Sequence, residues 1–120
     1  MISQLAKSVR ESLSQALPNT LIKDEEYINY KGNRLFFDFY LPSLNIYVEV
    51  QGIQHSKFNK HFHNSAASFR AQKKRDRLKQ EWCDLHDYTL VTVNYDEIPI
   101  GTVDLLNRIE EAQNGRQNTW

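Results

Sequence analysis

The chain has 120 residues, 40% of them hydrophobic, with 15 Lys plus Arg against 15 Asp plus Glu and only 4 Gly and 3 Pro. The expectation is one compact domain over residues 1–120, with no room for a second catalytic or cofactor domain, which excludes large cofactor-fed enzymes. The single cysteine, Cys83, excludes an intrachain disulfide and a zinc site of the paired-cysteine kind.

The start, MISQLAKSVRESL, lacks the continuous apolar run of a signal peptide, and no stretch approaches the roughly 18 apolar residues of a membrane-spanning helix, so a cytoplasmic protein is expected. Leu5, Val9, Leu13 and Leu17 recur at spacing four and predict an amphipathic helix over about Ser3 to Leu17, ended by Pro18. Three strand-like runs follow: Tyr27 to Lys31, Leu35 to Leu41 after a Gly32-Asn33 turn, and Asn45 to Gln51 after Pro42-Ser43. Strand alternation places Phe37, Phe39 and Leu41 on one face of the second run, and Tyr47, Glu49 and Gln51 together on one face of the third.

A loop from Gly52 to about Asn64 leads into a long helix, about Ser65 to Leu85, with Ala71, Leu78, Trp82 and Leu85 as its buried stripe. Thr89 to Asn94 predicts a fourth strand. A last helix, about Thr102 to Gln113, has Val103, Leu106 and Ile109 spaced for its inner face, and residues 114–120 form a loose tail. The order α, β, β, β, α, β, α predicts an α/β fold in which a mixed sheet of about four strands lies between helices.

The neutral total conceals an uneven charge distribution. Lys57 to Lys79 carries Lys57, Lys60, Arg70, Lys73, Lys74, Arg75, Arg77 and Lys79 against Asp76, a net +7, whereas the chain from Gln80 onward nets −6. A localised basic segment in a neutral protein is either the footprint of a docked polyanion, held by counterion release, or a solvated helix face.

Asp38 and Glu49 stand inside strands otherwise built of aromatic and β-branched residues, where an unpaired charge is costly to bury. Glu49 and Gln51 project to one side of their strand, and if the two strands pair as a hairpin Asp38 joins them. Two carboxylates and an amide oxygen are hard ligands suited to Mg²⁺ or Mn²⁺, and a hydrated magnesium beside a phosphodiester activates water and neutralises developing charge. The alternative is a carboxylate salt-bridged to Arg34 or Lys79 for structure alone.

An acid on one strand, Asp38, followed by an acid-x-x triplet on the next, Glu49-Val50-Gln51, resembles the PD-(D/E)XK nuclease superfamily. More narrowly, FDFYLPSLNIYVEVQGIQH followed by KKRDRLKQEWC resembles small phage and mobile-element endonucleases related to very-short-patch-repair endonucleases. The resemblance runs from the first helix through the fourth strand. It implies a restriction-endonuclease-like core and a Mg²⁺- or Mn²⁺-dependent DNA endonuclease that hydrolyses phosphodiester bonds without a covalent intermediate, a phage or homing-type nickase or a junction-resolving enzyme. Such an enzyme nicks as a monomer and cuts both strands as a homodimer, in the host cytoplasm if phage-encoded. The alternative is a DNA-binding or regulatory module that keeps the fold with weak or no cleavage.

The resemblance also assigns roles. Glu11 in the first helix completes a metal site with Asp38, Glu49 and Gln51, although a helical glutamate is otherwise solvated. Gln51 stands where the superfamily has lysine and cannot supply its charge. Gln72, Asp76, Lys79 and Cys83 form one stripe on the long helix, so that Lys79 is placed to replace that charge, held by Asp76 or Gln72, or else to pair with Asp76 or Gln80 at the surface. His55, after Gly52, matches a Gly-x-Gln-His element and is expected to accept a proton or contact phosphate, or else to anchor its loop. Lys57, Lys60, Arg70, Lys73, Lys74, Arg75 and Arg77 remain as DNA-backbone contacts, with Phe58 and Phe62 interleaved. His61 and His63 lack the cysteine partners of a structural zinc site, and Cys83 and Trp82 are assigned to packing.

Overall fold

Ser3 sets where the first helix begins. Its hydroxyl accepts the Ala6 N–H at 3.1 Å, satisfying one of the donors that a helix start leaves bare, and α1 then runs over Gln4–Ala16 and stops short of Pro18. The structure, a computed structural model, describes residues 3–52 and 65–117.

Two antiparallel strands follow, β1 (Lys23–Tyr30) and β2 (Asn33–Leu41), joined by Lys31 and Gly32 with φ of 50° and 75°. Both central residues of this two-residue hairpin turn need the left-handed region, and Gly32 adopts it without a Cβ penalty. A single 3₁₀ turn, Pro42–Leu44, and left-handed Asn45 turn the chain into β3 (Ile46–Gln51), which pairs antiparallel with β2. β3 and β4 (Thr89–Asn94) are parallel in register Ile46↔Thr89 to Gln51↔Asn94, so α2 (Ala66–Leu85) is the crossover between them. α3 (Thr102–Gln117) closes the described chain. The sheet order is β1-β2-β3-β4, and the architecture is the mixed four-strand α/β fold expected from the sequence.

The sheet separates two cores. On one face Val9 and Leu13 of α1 and Leu105 and Ile109 of α3 pack against Phe39, Leu41, Ile46, Val48, Val91 and Val93. On the other, Leu78, Trp82 and Cys83 of α2 pack against Leu35, Phe37 and Tyr47. Here Tyr40 stacks on Tyr47 with ring centroids 4.3 Å apart, and Tyr47 meets Trp82 edge-on at 5.5 Å.

Several expected faces change. Phe37 does not share a face with Phe39 and Leu41: it packs against Tyr47 at 4.5 Å and Trp82 at 5.8 Å, on the α2 side. The strand pair is irregular here, with Glu25 of β1 at φ 55° between the registered pairs Asp24↔Phe39 and Glu26↔Phe37. On α2, Ala71 and Leu85 are exposed and the buried stripe is Leu78, Lys79, Trp82 and Cys83, because the second half of the helix packs on Leu35, Phe37 and Tyr47 with these four residues turned inward. On α3 the buried residues are Leu105 and Ile109 rather than Val103 and Leu106, which are 69% and 40% exposed. α3 also continues to Gln117, past the expected end at Gln113, so residues 114–117 are helical rather than loose. β1 starts at Lys23, four residues earlier than expected.

Candidate active site at the end of the third strand

The β2–β3 ladder runs Leu41↔Ile46, Tyr40↔Tyr47, Phe39↔Val48 and then stops. One step further, the Val50 N–H donates not to a backbone carbonyl but to Asp38 Oδ2, at 2.8 Å. A side chain thus satisfies the backbone donor that the interrupted ladder would leave bare, which explains a carboxylate inside a strand of aromatic residues. It also fixes Asp38 beside the C-terminal end of β3.

Glu49 lies on the α2 side of β3, sharing its parity with Tyr47 and Gln51. It is 3% exposed, and its Oε2 accepts a hydrogen bond from Lys79 Nζ at 2.9 Å. Lys79 is itself 8% exposed, its ammonium 5.7 Å from the centre of the Phe37 ring. Burial pushes the Glu49 carboxyl up to about 7 against the pull of the Lys79 ammonium, and the charges of Asp38 and Asp76 add to the rise. Glu49 Oε1 is buried and has no hydrogen-bond partner among the described residues.

That oxygen is the informative atom. A buried carboxylate oxygen left bare costs on the order of 1–3 kcal/mol or more, and proteins keep such an arrangement where something else binds there. Glu49 Oε1, Asp38 and the half-buried Gln51 offer hard oxygen donors at one end of the sheet, a set that fits a Mg²⁺ or Mn²⁺ ion. Among the described residues, no three His, Cys, Asp or Glu side chains stand close enough together to form a metal-binding group as they are. Glu11 is exposed on α1, which packs with α3 on the opposite face of the sheet from Lys79.

Lys79 turns inward, as the stripe on α2 allows, and pairs with Glu49; Gln80 pairs instead with Asp84, at 2.9 Å. Asp76, one turn before Lys79, is half-buried and raises the Glu49 carboxyl, so it belongs to the same electrostatic cluster. The alternation of β3 and the 4, 3, 4 spacing on α2 were the signals for this pairing. What they did not carry was the Asp38 contact to Val50, since where a ladder stops is a tertiary property.

The remaining bases divide in two. Arg70, Lys74, Arg75 and Arg77 are exposed on α2, and Lys73 is half-buried with its ammonium 5.7 Å from the Phe69 ring centre. His55, Lys57 and Lys60, with Phe58, Phe62, His61 and His63, lie outside the described residues. Cys83 is buried and burial pushes its thiol up to about 12, which suits packing rather than nucleophilic chemistry. No helix of the described residues is long and apolar enough to cross a membrane.

No family model matches the chain, and no solved structure matches it. It is similar to uncharacterized protein 307L of Invertebrate iridescent virus 6, 38% identical over 101 residues that cover 83% of this chain and 50% of that protein. It is also similar to uncharacterized protein 033L of Invertebrate iridescent virus 3, 36% identical over 64 residues that cover 53% of this chain and 33% of that protein. The chain therefore spans half or less of the length of these viral relatives.

Proposed function

We propose that the protein is a metal-dependent DNA endonuclease whose site lies at the C-terminal end of β3. The observation that carries this reading is Glu49: buried, one oxygen tied to Lys79 and the other without a hydrogen-bond partner among the described residues, with Asp38 pinned alongside by the Val50 N–H. In open α/β sheets ligands sit beyond the carboxyl ends of parallel strands, and β3 and β4 both end here, at Gln51 and Asn94.

Asp38, Glu49 and Gln51 are the residues that would hold Mg²⁺ or Mn²⁺; Glu11, the fourth ligand that the resemblance adds, is exposed on α1 on the other face of the sheet and is not brought beside them. The chemistry such a cation would supply there is activation of water and neutralisation of charge developing on the phosphate. Lys79 keeps Glu49 in a fixed orientation and offsets its charge, standing in for the lysine absent at position 51. The exposed bases of α2 hold the DNA backbone, with Lys57 and Lys60. His55 takes part in proton transfer or phosphate contact. A monomer nicks one strand, and a homodimer cuts both.

The test is nicking of supercoiled plasmid by purified protein in Mg²⁺ or Mn²⁺, beside Asp38→Ala and Glu49→Gln prepared in parallel. Metal-dependent nicking that both variants abolish is the expected outcome; nicking that survives them comes from a contaminant and removes the enzyme reading. A second reading, a DNA-binding module without cleavage, is favoured by Gln51 in the place of lysine and by the Glu49–Lys79 pair satisfying half of the site by itself. Plasmid that is bound and retarded but never nicked is its signature.

A further inference from the structure

α2 and β3 run antiparallel and meet in a ladder of side chains. Trp82 meets Tyr47 with ring centroids 5.5 Å apart, and Lys79 meets Glu49 at 2.9 Å. Each step moves two residues up the strand, about 6.6 Å, and three or four residues back along the helix, about 4.5–6 Å. The next step, three or four residues back, reaches the level of Gln51, the last residue of β3, with Asp76, which is half-buried and raises the Glu49 carboxyl, and beside it the exposed Arg75. At 100° per residue, Trp82, Lys79 and Arg75 fall within an arc of about 60° on one side of α2.

Burial changes along this row as the strand runs out. Trp82 and Lys79 are 9% and 8% exposed, whereas Arg75 is exposed. Arg70, Lys73, Lys74 and Arg77 follow the i, i+3, i+4, i+7 pattern of a different side of the helix. The bases of α2 are therefore not one surface: Arg70, Lys74 and Arg77 are exposed on another side, with Lys73 half-buried beside Phe69, and Arg75 lies on the side of the helix that carries Lys79 to Glu49.

We propose that Arg75 binds the DNA phosphate that lies at the site, supplying at the level of Gln51 the positive charge which that residue lacks. This rests on the nuclease reading and adds to it. Lys79 is spent on Glu49, buried under α2, and a guanidinium at the open end of the same row presents a fork that matches phosphate oxygens. The outward bases then hold flanking phosphates.

Two measurements on wild type, Arg75→Ala and Arg75→Lys test it, and since Arg75 is exposed, circular dichroism is expected to show all three folded. The first is the affinity for a 20-base-pair duplex in EDTA against salt concentration. Arg75→Ala should lower the slope of log K against log salt by about 0.9, one phosphate contact, and Arg75→Lys should keep it. The second is single-turnover nicking in Mn²⁺ at saturating DNA, where Arg75→Ala should lose about 100-fold and Arg75→Lys less. An unchanged slope overturns the phosphate contact. A lowered slope with nicking within threefold of wild type overturns its placement at the site. Wild type that binds but does not nick removes the nuclease reading instead, and the slope alone then decides for or against Arg75.

Discussion

On the face covered by α1 and α3 the core is apolar throughout: Val9, Leu13, Phe39, Val48, Val91 and Leu105 are fully buried, with no ion pair among them. On the face covered by α2 the core is aromatic, with Phe37, Tyr47 and Trp82 in mutual contact, and it ends in the buried Glu49–Lys79 pair. The sheet is common to both, so the contrast separates what folds the chain from what the chain uses. Apolar burial contributes stability in proportion to area, while a buried ion pair roughly repays its own desolvation. The polar end of the α2 face is thus poorly explained by stability.

The contrast breaks most visibly at its apolar side. Phe39→Ala should cost about 3–5 kcal/mol in urea unfolding, through lost transfer energy and the cavity left between α1 and the sheet. A smaller loss, on the order of 3 kcal/mol, is expected for Lys79→Met, which leaves Glu49 buried without its cation. That loss should shrink at low pH, where Glu49 takes up a proton. The double change Glu49→Gln with Lys79→Met should recover most of it. A double variant as unstable as Lys79→Met alone would show that the pair does contribute to folding.

The pH dependence sharpens the same point. Glu49 has its carboxyl raised from 4.5 in the unfolded chain to about 7 by burial, so between these values the folded state holds the extra proton. Stability contributed by this group is therefore highest below pH 4.5, falls as pH rises to 7, and stays at the lower value above it. The loss should be about 1–3 kcal/mol and vanish in Glu49→Gln, measured by urea unfolding at pH 5 and 8. Mg²⁺ or Mn²⁺ at a hundred times its dissociation constant should restore about 2.7 kcal/mol at pH 8 in wild type and nothing in Glu49→Gln.

What could be read in the sequence follows the range of the interactions. The β2–β3 pairing that brings Asp38 to Glu49 was legible because Pro42 and Ser43 mark the turn and the alternation on either side fixes the register. Lys79 was legible because its stripe on α2 is a matter of helical spacing. The shift of Phe37 to the α2 side was not, since it depends on a local irregularity opposite left-handed Glu25. Nor was the exposure of Ala71: periodicity shows that a helix has a face, not how much of its length is covered. For Glu11, helix position alone says nothing of whether its carboxylate turns toward the far face.

The last helix gives the smallest expected effect and the cleanest check on this limit. Val103, Leu106 and Ile109 stand three apart, whereas on the face the helix actually buries Leu105, Ile109 and Ala112 are spaced four and three. Both series suit a helix, and contact with α1 and β4 selects the second, because only that series turns toward Val9, Leu13 and Val93. Arg108, bonded to Glu97 and, at 2.7 Å, to the Thr92 carbonyl, pins the rotation of α3 at β4. Val103→Ser should therefore change stability by less than about 0.5 kcal/mol, while Leu105→Ala on the adjoining face costs about 2–5 kcal/mol. Equal losses in the two variants, read from denaturant midpoints at constant m, would mean that α3 is rotated and that the apolar face has been assigned to the wrong side of the helix.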